Sequence, residues 1–141
     1  MSSKPTNNPK DTEGVKRVPL GLFPQTALIA GAMAFLEGHI KYRKYNWREA
    51  GVRASIYHDA LLRHLFAWYN GEDIDPGSGL PHLWKAIACL AILIDSEQAG
   101  VLNDDRPPPA PVQEMIDRLN DDVVRMIETI QPSQYRLPES T

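Results

Sequence analysis

The chain has one cysteine, Cys89, among 141 residues, so a disulfide framework is excluded and a reducing compartment is the expected setting. No apolar run approaches the ~20 residues of a membrane span, and Met1 to Lys10 lacks the hydrophobic stretch of a signal peptide. The expectation is a cytoplasmic protein with no membrane partner. Excess positive charge is missing too. Fifteen Lys and Arg against 18 Asp and Glu give a net charge of -3 and a pI near 5.8, which argues against a partner that is a DNA or RNA polymer held by net charge. Any cationic site must be local. Also absent are a P-loop, a GxSxG elbow, an HExxH and a paired Cys-x-x-Cys.

What is present is helical periodicity. Residues 1–18 are polar, carry Pro5, Pro9 and Gly14, and read as a flexible N-terminal arm. From Gln25 to Lys41, apolar side chains recur at Leu28, Ile29, Ala32, Met33, Leu36 and Ile40, the spacing of a helix with a wide buried face. A second helix is predicted from Arg48 or Val52 to Tyr69. A third runs from Leu80 or Pro81 to Gln98; its middle, Ala86 to Ile94, is apolar nearly all round and should be the most buried. Between these two, Asn70 to Gly79 is a loop by its turn chemistry. The proline-rich stretch 99–111 is a spacer, and Val112 to Ile130 forms an amphipathic helix whose narrow stripe suits a partner helix. The fold class is therefore all-α: a small bundle of about four helices with an irregular arm, a helical core over 19–98 that also holds the candidate binding residues, and a C-terminal oligomerisation or docking segment over 112–141.

The chemistry concentrates between Lys41 and His82. Lys41, Arg43, Lys44, Arg48 and Arg53 are interleaved with Tyr42, Tyr45 and Trp47. Cations hold phosphate and planar side chains stack on bases, so the patch fits a nucleotide, although a solvated helix end with one packed tryptophan has the same composition. Ser55, Asp59 and Arg63 share one helix stripe, with Asp59 and Arg63 at ion-pair spacing. His58 and His64 flank that stripe; lone helix histidines are more often hydrogen-bonded boundary residues than ligands. Glu72, Asp73, Asp75, Ser78 and Gly79 precede His82 at an expected helix start, where backbone N–H groups favour an anion or the acids simply cap and turn. A calcium loop is excluded, because its sixth position lacks glycine and its twelfth is Trp84 rather than glutamate.

Taken together, Lys41-x-x-Lys44-Tyr45-x-Trp47-Arg48, Asp59-Ala60-x-x-Arg63-His64 and Gly71-Glu72-x-x-Asp75-x-x-Ser78-Gly79-Leu80-Pro81-His82 resemble a phage-enriched family, the N-terminal type of dATP/dGTP diphosphohydrolase, over about Pro24 to Asp95. That family is similar to all-α MazG-like pyrophosphohydrolases, which implies a helical dimer or tetramer taking a purine nucleotide between helices. MazG-like enzymes hold magnesium with a dense carboxylate set on two helices. Here the second helix has only Asp59 in its interior, and the third has no acid between His82 and Asp95. In size and implied assembly the chain also resembles helical sponge proteins of anti-CBASS type, which sequester cyclic oligonucleotide immune signals.

Two readings follow. In the first, a homo-oligomer without cofactor or catalytic residue captures a cyclic nucleotide through Lys41, Lys44, Tyr45, Trp47, Arg48, Arg53, Asp59, Arg63, His64, Ser78 and His82. In the alternative, the chain is a Mg-dependent dATP/dGTP diphosphohydrolase with Glu37 and Asp59 as catalytic acids, and Glu37, Asp59, Glu72 and Asp75 as metal ligands. A third possibility is an interaction module in which the last helix docks and the basic patch is incidental.

Overall fold

The computed structural model describes residues 7–130. The rest of the predicted arm and the tail from Pro132 lie outside the described residues. Two compact units divide the chain, one ending at Arg106 and one starting at Pro107. In the segment read as an arm, the Asn8 side chain accepts the Lys10 N–H at 2.9 Å and starts the short exposed helix α1 (Pro9–Gly14). A 3-10 turn, Leu20–Leu22, follows.

Helix α2 (Gln25–Tyr42) stops at Arg43, whose φ of +78° cannot continue a right-handed helix. The expected second helix is split by backbone chemistry. Asn46–Ala50 forms a short α3, and Gly51 then takes a φ of +81°, with an added Cβ meeting the Val101 carbonyl at 3.3 Å. Val52 N–H donates to that carbonyl at 3.1 Å, and the strands β1 (Val52–Arg53) and β2 (Leu102–Asn103) pair in parallel, Val52 opposite Leu102. Two residues per strand are too few for alternation to register in sequence. Helix α4 (Ala54–Tyr69) begins immediately afterwards.

Helix α5 (His82–Gln98) lies against both α4 and α2. It supplies His82, Ala86 and Ser96 to the buried set, joined by Ala34, Val52 and Ala54. Small residues permit the close approach: at Gly31 of α2 an added Cβ would sit 3.6 Å from Ile87. Large apolar side chains remain exposed on α2, Leu28, Ile29 and Ile40 among them.

The second unit carries α6 (Val112–Thr129), with Met115, Ile116, Leu119, Val123, Met126 and Ile127 in helical register. No described helix is long and apolar enough to cross a membrane.

Candidate functional site

The loop from α4 to α5 is closed by its own turn residues. After Tyr69 the chain makes a Schellman-type exit: Gly71, at φ +95°, donates to the Trp68 carbonyl, and Glu72 N–H reaches the Ala67 carbonyl, both at 3.0 Å. The loop then folds back on itself. Asp75 N–H donates to the Leu80 carbonyl at 2.9 Å, His82 N–H to the Asp73 carbonyl at 2.9 Å, and Ile74 bridges Pro81. Asp75 Oδ1 accepts the Gly77 N–H at 2.9 Å, and the Ser78 hydroxyl accepts the Leu80 N–H at 3.2 Å. Gly79 at φ +75° completes the reversal.

This loop brings four sequence-predicted residues together. His82 is buried, its Nε2 lies 2.7 Å from Glu72 Oε1, and its Nδ1 lies 2.9 Å from His64 Nδ1. A carboxylate only accepts, so Glu72 fixes the His82 proton on Nε2 and leaves Nδ1 with a free lone pair. The His64, Asp75 and His82 ligand atoms lie within 4.8 Å of one another. Burial lowers the pKa of His64 more than the Asp75 charge raises it, whereas the Gly77 hydrogen bond lowers that of Asp75.

Beside this cluster a cleft of about 1040 Å³ runs between α2, α3 and α5. At one end Glu37 is gripped by Lys85 and approached by Lys41 at 3.6 Å. Burial alone would raise the Glu37 pKa, but the Lys85 hydrogen bond and the two ammonium charges carry it below the usual carboxylate value. At the other end Asp95 receives Trp47 Nε1–H at 2.7 Å and a bidentate Arg48 guanidinium at 2.8 and 2.7 Å. Arg48 first and Trp47 second hold the Asp95 pKa at about 2. Arg48 also lies 4.5 Å above the Tyr45 ring, while Trp47 packs against Phe35 at 5.2 Å and Tyr45 at 5.1 Å. Lys44 stands between two left-handed residues, Arg43 and Tyr45 (φ +56°). Such strain costs about 1–2 kcal/mol per non-glycine residue and persists where the surroundings enforce it, most often at binding sites. Cys89 and Tyr57 line the wall, and burial pushes both pKa values up, keeping them neutral.

Glu37 and Lys85 line one end of the cleft and Tyr45, Trp47 and Arg48 the other, with Lys44 also on its wall, while Lys41 meets Glu37 from outside the lining. Other candidates stand apart. Asp59 is exposed and meets His58 at 3.6 Å instead of pairing with Arg63, because the α4 surface leaves all three in solvent. Arg53 approaches Asp105 at 3.9 Å beside a separate cavity of about 340 Å³, and Ser55 bonds the same carboxylate. Sequence reading missed Lys85 and Asp95. Their signal was present, since each is a charged residue on an otherwise apolar helix face, which calls for a partner.

Magnesium prefers six oxygen ligands in an octahedron. Glu37, Asp59, Glu72 and Asp75 do not converge on one point among the described residues: Glu37 is held by lysines, Asp59 is on the α4 surface, and the other two flank the histidines. The described residues of one chain do not gather these four acids into a magnesium site.

Fold and site together define a small helical protein with a cleft lined by aromatic rings and by carboxylate-paired lysine and arginine. Residues 7–106 match the family model described as dATP/dGTP diphosphohydrolase, N-terminal, and the chain belongs to that family. No curated protein and no solved structure matches the chain.

Proposed function

We propose that the chain binds a purine deoxynucleoside triphosphate in the α2–α3–α5 cleft and hydrolyses it to the monophosphate and diphosphate. Support comes from the family match and from one observation above the rest: a single cleft has Lys85 paired with Glu37 at one end, with Lys41 3.6 Å from the same carboxylate, and a ring-packed, carboxylate-anchored tryptophan and arginine at the other. Its volume of about 1040 Å³ is just above the roughly 300–1,000 Å³ typical of ligand pockets. A triphosphate carries several negative charges and competes for Lys85 and Lys41, so its arrival releases Glu37. The freed carboxylate is the group to accept a proton from the attacking water as the bond between the α-phosphorus and its bridging oxygen breaks and diphosphate departs. Tyr45 and Trp47 offer faces for the base, and Lys44 a charge on the cleft wall.

Incubation with dATP, dGTP and dCTP, with magnesium, manganese or zinc, followed by separation of products, tests this. Expected are purine monophosphate and diphosphate in equal amounts, and a fall of about 100-fold or more in turnover for Glu37→Gln with retained nucleotide binding. Capture of an intact cyclic dinucleotide, with no turnover of any triphosphate under any ion, would instead establish the sequestration reading. The non-convergent acids are the observation that keeps that second reading in play.

The same proposal includes assembly as a homo-oligomer, dimer or tetramer. It is motivated by the bare apolar face of α2, with Leu28 62% and Ile29 63% exposed, which a second copy of this helix would cover. Light scattering after gel filtration is expected to give a multiple of the 15.8 kDa chain, and Leu28→Glu with Ile29→Glu to return it to one copy. A wild-type chain that elutes as a monomer at high concentration would end this part of the reading.

A further inference from the structure

We propose that His64, Asp75 and His82 bind a first-row divalent transition ion, with Glu72 orienting His82 from behind. The argument begins with donor types. Two imidazole nitrogens and one carboxylate oxygen suit zinc, cobalt, manganese or iron, whereas magnesium would forgo the nitrogens.

Geometry then supports the ring orientations. Glu72, 2.7 Å from His82 Nε2, accepts a hydrogen bond from its N–H, so the neutral, buried His82 presents Nδ1 as a lone pair. His64 Nδ1 faces that lone pair at 2.9 Å, and a single shared proton satisfies the two rings when no ion is bound. A divalent ion takes that position, and the displaced proton passes through solvent to His64 Nε2, so that His64 stays neutral in its other tautomer. With metal–nitrogen bonds of about 2.0–2.1 Å in a tetrahedral site the two nitrogens separate to about 3.3 Å, a small outward movement for the half-buried His64. The arrangement of Glu72 behind His82 is the carboxylate–histidine relay that commonly tunes such ligands.

The third ligand is fixed by the loop. Gly77 N–H bonds Asp75 Oδ1 and the 75–80 turn is closed by its own backbone hydrogen bonds, so the carboxylate is held with an oxygen within 4.8 Å of the ring nitrogens. Three protein ligands leave room for a water or a phosphate oxygen, the pattern of catalytic rather than structural sites. Lys85 stands one turn along α5 from His82 and its charge is felt at both His64 and Asp75, so the ion adjoins the phosphate end of the cleft. That adjacency rests on the nucleotide reading above; binding of the ion itself does not.

The test uses the full chain, stripped by chelator and titrated with cobalt(II) under calorimetry and visible spectroscopy. Expected are one ion per chain, a visible ligand-field band, displacement by zinc and no displacement by equimolar magnesium. His64→Gln and Asp75→Asn should each lower cobalt affinity at least ~100-fold, and Glu72→Gln by about 10–100-fold, the range for losing an outer-shell partner. Each variant is checked by thermal melting. Absence of cobalt and zinc uptake by the folded wild type, or unchanged affinity in His64→Gln, would overturn the site. dGTP binding is followed separately by tryptophan fluorescence: metal uptake without it overturns the cleft reading and supports the ion site, and dGTP binding without metal uptake does the reverse.

Discussion

Replacing Lys85 with methionine is expected to lower the unfolding free energy by about 2–3 kcal/mol and to weaken nucleotide capture at least tenfold. Glu37 and Lys85 are each less than one fifth exposed, and removing one partner leaves the other carrying an unpaired, largely dehydrated charge. The loss is much larger than the 0–1 kcal/mol typical of surface pairs because the burial is real, and smaller than the extreme for fully buried pairs because Lys41 remains 3.6 Å from Glu37. Combining Lys85→Met with Glu37→Gln removes both charges, so the double variant should be more stable than Lys85→Met alone. Denaturant titrations of the four proteins give the coupling energy directly. Additive losses in the cycle would show that the two side chains are not partners, and unchanged dGTP affinity in Lys85→Met would remove the phosphate end of the cleft.

The second large effect is expected at Asp95. Asp95→Ala deletes the acceptor for both Trp47 and Arg48, which are the ties between α3 and the C-terminal half of α5. A bidentate arginine pair with an added indole donor exceeds a simple surface ion pair, but the carboxylate is about a third exposed and solvent screens it. The expected cost is about 2 kcal/mol, a fall in Tm on the order of 10 °C, together with a change in tryptophan emission as Trp47 loses its anchor. Acid reports the same contact with a definite sign. The Asp95 pKa is depressed from 3.8 to about 2 by folding, so its contribution is present above the unfolded value and fades as pH falls through the folded one. The stability gap between wild type and Asp95→Ala should therefore hold steady at neutral pH and close between about pH 4 and pH 2. A gap indifferent to pH over that range would mean that the carboxylate charge does not hold the cleft end together.

How much of this was legible beforehand depends on the range of the interaction. The helices α2, α5 and α6 follow from 3.6-residue periodicity, a property of local chain geometry, and their observed ends fall within about two residues of the expected ones. The break at Gly51 was not legible, because it requires the Val101 carbonyl, fifty residues away, to claim the Val52 N–H. The basic and aromatic patch was visible as composition. Its partition was not: Arg48 and Trp47 became anchored rather than free, and Arg53 turned to Asp105.

The amino-acid order alone thus determined the helices α2, α5 and α6, the α4–α5 turn written in Gly71, Asp75 and Gly79, and the local concentration of charge and rings. Only the tertiary structure decided which of those groups meet. Lys85 finds Glu37, Asp95 finds Trp47 and Arg48, and His64 finds His82, through helix packing that brings together residues 18 to 48 positions apart. Side-chain pairing at such separations is set by the crossing of α5 with α2 and α4, and a one-dimensional pattern carries no record of which faces cross.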